Sequence, residues 1–234
     1  MDNEAWVLAD RPKPLIVIGD GEFAEIAYEY FTHDSEHEVV AFAVEREFLK
    51  KDSLCGLPVV ALDDLEQRFA PERHSVFVAV TYTQLNRVRA RLYRAAKAKG
   101  YPVTTYVSSR AFVWPNAKIG ENCFIFENNV VQHHAVIGDN TILWSGNHIG
   151  HRATVGENCF LSSHVVVSGY CRIGDNCFVG VNCTLADHVA VAKDCFIGAG
   201  AVIARDTEEG KVYKGPREAE PAAVGSLRFF RIKE

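Results

Sequence analysis

IGENC (119–123), IGDNT (137–141), VGENC (155–159) and IGDNC (173–177) recur every eighteen residues in this chain, and VAKDC (191–195) is a weaker fifth copy. A shorter period runs through these copies, because every sixth residue from 113 to 203 is Ile, Leu or Val, at sixteen positions without exception. Such a period fits neither an amphipathic helix nor an alternating strand. It is the hexapeptide signature of a parallel β-helix. The repeat predicts a β-helix domain over 108–207 with about five coils of three hexads each.

The eighteen-residue period predicts which residues lie above one another. Coils stack at the strand spacing of about 4.8 Å, so residues eighteen apart become vertical neighbours. The Gly-acid-Asn triplets are expected to turn one corner, since Gly and Asn tolerate the positive φ that a corner needs. Six of the seven cysteines lie four residues after an aliphatic position, a phase they share with alanine, which indicates a small buried site for each. They are Cys123, Cys159, Cys171, Cys177, Cys183 and Cys195.

The sequence pattern of residues 1–107 predicts a small α/β domain of the Rossmann-like, parallel-sheet type. The segment PLIVIGDGEFAEIAYEYF (14–31) is typical of a buried strand, a glycine-containing turn and a helix. Residues 208–234 are expected to form a C-terminal tail. The other elements predicted for the first domain are strands over 39–44, 76–80 and 101–107 and helices over 61–70 and 84–99.

The turn after the first predicted strand is a candidate phosphate site. Gly19, Gly21 and Ala24 satisfy G-x-G-x-x-G/A at the point where backbone N–H groups and a helix N-terminus can meet a phosphate. The domain has no second mononucleotide half, so a single nucleotide, as in a nucleotide sugar, is expected rather than NAD. Glu45, just past the second strand, is a candidate ribose or base contact. A simple packing turn is the alternative, and Arg87 is either a solvated helix residue or a phosphate contact.

Composition excludes several classes of protein. The chain has 234 residues, 48% of them hydrophobic and 24% charged, as a globular protein does. A net charge of -5 argues against a nucleic-acid partner. The N-terminus lacks an apolar segment and no run of eighteen apolar residues occurs, so no membrane association is expected and the cytoplasm is the expected location.

Two histidines share one column of the predicted β-helix. His133 and His151 are followed upward by Gly169, whose missing side chain is expected to leave a slot for a slender ligand. A neutral imidazole beside such a slot could take a proton from an amine or hydroxyl that attacks a thioester. His148 precedes the inward Ile149 and is expected to point outward from a flat face. A metal site needs three convergent ligands, and the histidine spacing differs from that of the γ-class carbonic anhydrases, so no metal is expected.

At these residues the chain resembles the left-handed β-helix sugar acyltransferases of the sialic acid O-acetyltransferase and bacillosamine N-acetyltransferase type. NHIGHRATVG (147–156) corresponds to the catalytic segment V-I-E-H-E/D-x-x-I-G of that family, with His151 at the general base. VVVSGYCRIGDNCFVGVN (165–182) matches the following coil. FIGAGAVI (196–203) and VYKGPREAEPA (212–222) match the acetyl-CoA-proximal coil and the G-x-P-A-K-like ending.

The resemblance implies further properties. It implies a left-handed β-helix, and a homotrimer with acetyl-CoA in the groove between neighbouring β-helices, so that the active site lies between subunits. It also implies acetyl-CoA contacts near Gly169, Val181 and Ala199.

The chain departs from the family pattern at several positions. The carboxylate that usually follows the catalytic histidine is Arg152, and a second family histidine is Phe160. The histidine of the N-terminal glycine turn is Phe23, and a small polar residue before the base is Trp144, expected to stack above Phe126. These changes leave the identity of the sugar open.

Further candidates follow from these departures. His148 and Asn147 become secondary candidates for substrate contact or for orienting His151. Trp144 and His133 are candidates for sugar contact, and His133 is also the base in a competing register, since VVQHHAVIG (130–138) resembles the motif as well.

The leading hypothesis is an acetyl-CoA-dependent N-acetyltransferase that acts on a nucleotide-linked amino or dideoxy-amino sugar for polysaccharide biosynthesis. The alternative within the enzyme class is a sugar O-acetyltransferase of the sialic-acid type. The remoter alternatives are a non-catalytic β-helix scaffold and a metal hydratase of the carbonic anhydrase type.

Overall fold

The structure, a computed structural model, describes residues 12–216. The proposed end of the acyltransferase motif, 217–222, lies outside the described residues. The N-terminal domain contains β1 (Leu15–Ile18), α1 (Glu22–His33), β2 (Val39–Val44), β3 (Ser53–Leu54), β4 (Leu57–Ala61), α2 (Leu65–Arg68), β5 (Ser75–Val78) and α3 (Arg87–Ala98). Short 3-10 turns at Arg46–Phe48 and Leu62–Asp64 complete it.

The sheet of this domain has the order β3-β4-β2-β1-β5. Strands β1, β2 and β5 are parallel, as predicted, and β4 adds a further parallel strand, but β3 pairs antiparallel with β4, so the sheet is mixed. The hairpin β3–β4 was not predicted. Its two-residue turn is Cys55-Gly56, with φ of 49° and 77°. Positive φ at both central residues is the turn geometry that matches strand twist, and Gly56 was its sequence signal.

Three predicted elements are shorter than expected. Only α2, flanked by the 3-10 turn Leu62–Asp64, forms within 61–70, and it ends before Pro71, which disfavours helical backbone in the residue ahead of it. The predicted helix 84–99 begins at Arg87, because the three residues before it adopt left-handed φ of 52°, 50° and 65°. Within 101–107 the structure has one bridge, Val103 to Val76, followed by the first strand of the β-helix.

Eighteen two-residue strands make up the β-helix. They are β6 (Tyr106–Val107), β7 (Phe112–Val113), β8 (Lys118–Ile119), β9 (Phe124–Ile125), β10 (Val130–Val131), β11 (Val136–Ile137), β12 (Ile142–Leu143), β13 (His148–Ile149), β14 (Thr154–Val155), β15 (Phe160–Leu161), β16 (Val166–Val167), β17 (Arg172–Ile173), β18 (Phe178–Val179), β19 (Thr184–Leu185), β20 (Ala190–Val191), β21 (Phe196–Ile197), β22 (Val202–Ile203) and β23 (Val212–Tyr213). The first lies within the residues assigned from sequence to the N-terminal domain, and the last lies within the residues assigned to the tail.

These strands form three parallel sheets, which are the three sides of each coil. We call them the aromatic face (β6, β9, β12, β15, β18, β21 and β23), the apolar face (β7, β10, β13, β16, β19 and β22) and the polar face (β8, β11, β14, β17 and β20). The strand register pairs residues eighteen apart, for example His148 with Val130 and Val166. The eighteen-residue map of vertical neighbours is therefore confirmed.

The period-six aliphatic residues point inward and form the core of the β-helix. From Ile125 to Ile203 each of them is buried, while Val113 and Ile119 in the first coil are partly covered. The six repeat cysteines are fully buried as predicted, and each Sγ contacts a backbone carbonyl, such as Gly198 O at 2.9 Å from Cys183. Burial raises the pKa of Cys123 to about 12, so this thiol stays protonated and acts as a small apolar side chain.

The corners use the Gly-acid-Asn triplet differently from the expectation. The asparagine carries the left-handed φ, as at Asn140 (57°), while the triplet glycines have ordinary φ. The glycine is required by close packing instead, because a Cβ on Gly138 would lie 2.7 Å from the carbonyl carbon of Gly156. The asparagines also bond along their column, with Asn140 Nδ2 donating to Asn158 Oδ1 at 2.7 Å.

The N-terminal domain packs on the aromatic face and is fixed there by a buried arginine. Arg89 of α3 is fully buried and donates to the carbonyls of Val80, Thr81, Asn140 and Cys159, the last at 2.9 Å. Burial lowers the pKa of Arg89 to about 10, so its guanidinium is still charged at neutral pH. Two guanidinium nitrogens share the Asn140 carbonyl, and the resulting five bonds hold the loop after β5 against the β-helix.

Among residues 12–216 no helix is both long and apolar enough to cross a membrane. The longest helices, α1 and α3, have 12 residues each.

Candidate functional site

A cavity of about 450 Å³ opens at the carboxyl ends of β1, β2 and β5. Four residues singled out from the sequence line it together: Gly19, Gly21, Glu45 and Trp144. In open α/β sheets ligands bind beyond the carboxyl ends of the strands. The cavity is therefore where a nucleotide would be expected, and the β-helix contributes Trp144 to its wall.

The two glycines of the turn have different roles. Gly19 has φ of +133°, and a Cβ there would lie 2.6 Å from the carbonyl oxygen of Ala79, so the fold itself requires glycine. Gly21 caps the N-terminus of α1 with ordinary φ, and a Cβ there would meet no atom within 4 Å. The packing-turn explanation accounts for Gly19 but not for Gly21, whose missing side chain leaves open space at a helix N-terminus.

Carboxylates dominate the polar lining of the cavity. Asp20, Glu22 and Glu45 line it, and no basic side chain does so among the described residues. Both terminal guanidinium nitrogens of Arg91 donate to the Glu45 carboxylate, with Nη2 to Oε2 at 2.9 Å. These hydrogen bonds lower the pKa of Glu45. The carboxylate is therefore an ionised acceptor in a fixed orientation. Sequence reasoning missed Arg91, whose only signal was its place off the apolar face of α3.

Aromatic side chains form the floor of the cavity. Trp144 lies above Phe126 in its column, as expected, and contacts it edge-to-face, with ring centroids 4.0 Å apart at 74°. Phe23, at the position of the family histidine, meets Trp144 at 5.9 Å and is buried against the aromatic face. Phe48 lines the cavity with 53% of its surface exposed and offers a ring face to a ligand.

His151 lies at the corner between the apolar and polar faces, which we call the histidine edge (the columns of His133 and His134). Its ring stacks on His133 of the previous coil, with centroids 5.5 Å apart at 17°. A Cβ on Gly169 would lie 2.5 Å from Cε1 of His151. The expected vacant slot is therefore wrong, because the imidazole of His151 itself covers Gly169.

No side chain bonds to the His151 ring nitrogens among the described residues. Its backbone N–H donates to Gln132 Oε1 at 2.8 Å, which fixes the main chain but not the ring. Arg152 is exposed, has φ of 57° and takes part in no ion pair within the described range. Arg152 therefore does not replace the missing carboxylate.

The two secondary candidates beside His151 lie in different environments. His148 points outward from the apolar face and is half-buried, as predicted. Asn147 is only 1% exposed, its Nδ2 donates to Trp144 O and its Oδ1 accepts from Val165 N at 2.7 Å. Because backbone groups use both ends of its amide, Asn147 supports the coil and has no group free for a substrate.

The candidate acetyl-CoA contacts do not share one groove of the chain. Gly169 is on the histidine edge, whereas Val181 and Ala199 lie at the corner between the aromatic and apolar faces. Both Val181 and Ala199 are exposed. The apolar face separates the two edges, and it exposes Phe112, Val166 and Val202.

The cavity and His151 are also on opposite sides of the β-helix. The cavity lies against the aromatic face, and the histidine edge is the vertex between the other two faces. A ligand in the cavity therefore cannot reach His151 of the same chain directly.

Two other candidate roles concern residues outside the cavity and the histidine edge. Arg87 pairs with Asp194 at 2.8 Å and does not line the cavity, so its proposed phosphate contact is wrong. Within residues 12–216 no group of three or more His, Cys, Asp or Glu side chains is placed to hold a metal ion.

Comparison with known protein families gives one match. The family described as bacterial transferase hexapeptide (six repeats) matches residues 116–151, 134–169 and 170–205. These segments cover most of the β-helix. A comparison with curated proteins finds no significant match.

Comparison with solved structures extends the similarity over both domains. The acetyltransferase domain of PglB from Neisseria gonorrhoeae has 26% sequence identity and a TM-score of 0.76, covering 86% of this chain and 95% of that one. A second structure of that domain holds acetyl coenzyme A. PerB from Caulobacter crescentus, in complex with CoA and GDP-perosamine, has 25% identity and a TM-score of 0.76, covering 85% of this chain and 92% of that one.

These matches confirm the predicted resemblance to the left-handed β-helix sugar acyltransferases. The fold class is confirmed as a small sheet domain followed by a left-handed hexapeptide β-helix. The expectation of an acyltransferase is confirmed as well.

Proposed function

We propose that this chain is an acetyl-CoA-dependent N-acetyltransferase that acylates the amino group of a nucleotide-linked amino sugar, with His151 as general base. The cavity at the ends of β1, β2 and β5 carries the proposal, because Gly19, Gly21, Glu45 and Trp144 converge on it. The similarity to PerB, whose structure holds CoA and GDP-perosamine, supports the same pairing of ligands here.

The cavity supplies groups for each part of a nucleotide sugar. The open N-terminus of α1 at Gly21 would receive the phosphates, and the ionised carboxylate of Glu45 would accept hydrogen bonds from ribose hydroxyls or a base. Trp144 would cover an apolar sugar face, as a deoxy sugar presents.

The reaction requires one base and one oxyanion site. The amine nitrogen attacks the thioester carbonyl carbon while a nitrogen of His151 takes its proton, the carbon–sulfur bond breaks, and CoA leaves as the thiol after protonation. Backbone N–H groups are the expected oxyanion donors. His151 suits the base role because its ring is half-buried and both of its nitrogens are without a bonded partner in the described residues.

The site is proposed to form between chains of a homotrimer. The cavity lies opposite the histidine edge, and Gly169 is separated from Val181 and Ala199 by the apolar face. Packing that apolar face against another copy would bring the histidine edge of one chain next to the cavity of its neighbour and to the neighbour's corner that carries Val181 and Ala199. This arrangement would also exclude water from an otherwise open His151. We place the reaction in the cytoplasm, upstream of polysaccharide assembly.

The test is a thiol-release assay with acetyl-CoA against UDP-, dTDP- and GDP-linked amino sugars. We expect free CoA with at least one of them, and a loss of about 10²–10⁴-fold in kcat for His151→Ala with an unchanged melting temperature. His164→Ala is the matched control, because His164 also covers a glycine, Gly146, at the corner between the aromatic and apolar faces.

Other outcomes redirect the proposal. Full activity of His151→Ala would move the base to His148 or to His133. Release of CoA only with a sialic-acid-like hydroxyl acceptor would replace N-acetylation by O-acetylation. No CoA release with any acceptor, together with no binding of acetyl-CoA, would contradict the proposed reaction.

A further inference from the structure

The imidazole of His151 is enclosed on three sides by groups from neighbouring coils. His133 stacks below it, nearly parallel at 17° with centroids 5.5 Å apart. Tyr170, one coil above, meets it edge-to-face at 5.1 Å and 85°. Between them the backbone at Gly169 touches the ring, since a Cβ there would come within 2.5 Å of Cε1.

The two enclosing rings are themselves supported. His188 stacks on Tyr170, with centroids 4.8 Å apart at 8°. His134 meets His133 at 5.5 Å, and its backbone N–H donates to Asn116 Oδ1 at 2.8 Å. The side chains along this edge therefore form one continuous aromatic row, in which each ring limits the rotation of the next.

Hydrogen bonding does not orient the ring of His151 from the described part of the chain. A general base needs a fixed direction for its accepting nitrogen, which a hydrogen-bonded partner on the other nitrogen usually supplies. Here the neighbouring residue is the exposed Arg152, and the Gln132 amide bonds only to the backbone of His151. Packing is what restricts the ring.

We propose that His133 and Tyr170 are positioning residues that hold the His151 imidazole for proton abstraction, with Gly169 leaving the space that the ring occupies. We call His133 and Tyr170 the aromatic clamp. This inference rests on the proposed function, because it assigns the clamp to the base of that reaction. Neither clamp residue touches the reacting atoms. Neither ring nitrogen of His151 has a hydrogen-bond partner in residues 12–216, so the unprotonated one would be available to take the proton.

The clamp makes a specific claim about side-chain shape. Tyr170→Phe keeps a ring and should keep kcat within about threefold, because packing and not hydrogen bonding holds the base. Tyr170→Ala and His133→Ala should lower kcat by about 10- to 100-fold, since a small misplacement of a catalytic group has that effect. The KM values for acetyl-CoA and for the nucleotide sugar should stay within about twofold, because neither ring is placed in a substrate pocket.

A second readout does not depend on turnover. The Cε1–H proton resonance of His151, assigned by its loss in His151→Ala, should shift in Tyr170→Ala because the tyrosine ring current is removed. It should stay in place in His164→Ala, in which a matched histidine over Gly146 is truncated at a different corner. An unmoved resonance in Tyr170→Ala would show that the two rings are not in contact and would overturn the clamp.

The kinetic outcomes separate the clamp from the base. Loss of activity in His151→Ala and in both alanine clamp variants, with activity retained in Tyr170→Phe, is the expected result. An inactive His151→Ala beside fully active Tyr170→Ala and His133→Ala would overturn the clamp and leave the base assignment standing. An active His151→Ala would overturn the proposed base, and the clamp with it. Equal losses in Tyr170→Ala and Tyr170→Phe would contradict positioning by ring packing.

Discussion

The N-terminal cavity and the histidine edge carry the residues of the proposed site in two different ways. The cavity is formed within one chain, where strand ends, α1 and the aromatic face surround about 450 Å³. Gly19 is required there by main-chain geometry, because a Cβ would lie 2.6 Å from the Ala79 carbonyl oxygen, whereas Gly21 faces open space. The histidine edge is an exposed ridge, on which His151 is half-buried and is held by neighbouring rings. A single chain therefore encloses the cavity but leaves His151, the proposed base, without a second wall.

The largest expected effects come from substitutions of the two cavity glycines, Gly21 and Gly19. The Cβ of Gly21→Phe would meet no atom within 4 Å, and its ring would occupy the mouth of the cavity, so we expect the fold to be retained and nucleotide binding to fall by at least about 100-fold. Titration of the purified variant with UDP, dTDP and GDP measures the loss, and its melting temperature serves as the control. Tight binding by Gly21→Phe would place the nucleotide elsewhere.

Gly19→Ala tests the opposite expectation at the same turn. The added Cβ would meet the Ala79 carbonyl oxygen at 2.6 Å, and the φ of +133° is unfavourable for alanine. We expect the free energy of unfolding to fall by about 1–3 kcal/mol. Denaturant unfolding measures this change. Wild-type stability would show that the turn can relax and that Gly19 is not required by packing.

The junction between the N-terminal domain and the first coil of the β-helix gives a smaller, pH-dependent effect on stability. Asp34 ends α1 and accepts hydrogen bonds from Ser109 N and Tyr106 Oη, which lower its pKa to about 2. The folded pKa is below the unfolded value, so the stabilisation is complete above about pH 4 and is lost as the pH falls towards 2.

Asp34→Asn should therefore lower the free energy of unfolding at pH 7 by about 1–2 kcal/mol, after allowance for solvent screening. The difference between variant and wild type should shrink as the pH is lowered from about 4 to 2. Urea unfolding at a series of pH values measures it. A constant difference across that range would contradict the ionised Asp34 as its source.

Arg152 gives the smallest expected effect. Its side chain is exposed, and its backbone has a left-handed φ of 57°, as have His134, Tyr170 and His188 in the same column. Arg152→Asn should leave the melting temperature unchanged and kcat within about twofold of wild type, because Asn tolerates this φ. A large loss of kcat would mean that Arg152 contributes to the site in the assembled protein.

Most of the β-helix could be predicted because its side-chain pattern repeats with the backbone. One aliphatic residue in six fixes the inward positions. Three such hexads make one coil of eighteen residues, which places Val130, His148 and Val166 in one column. The hairpin β3–β4 was missed because β3 has only two residues, and because β4 does not alternate, since its last three residues are all buried. The corner glycines were assigned the φ that belongs to the asparagines, because a close backbone contact such as Gly138 with Gly156 is not visible in sequence.

The sequence predicts which residues of the candidate site share a column, but it does not predict which side chains contact one another. Sequence spacing placed His133, His151 and Gly169 together, yet the direction of the His151 ring, which fills the space over Gly169, depends on its side-chain torsions. Tyr170 was missed because it lies one residue outside that column and reaches the imidazole diagonally. Its signal was an aromatic residue beside the glycine.

The central claim is that the cavity of one chain works with His151 of another. The most direct test mixes two chains, His151→Ala and Gly21→Phe, each of which should be inactive alone. In randomly mixed trimers one site in four pairs an intact cavity with an intact His151, so we predict about a quarter of wild-type activity after co-refolding of equal amounts. Activity no higher than that of either variant alone, in trimers shown to contain both chains, would contradict the shared site.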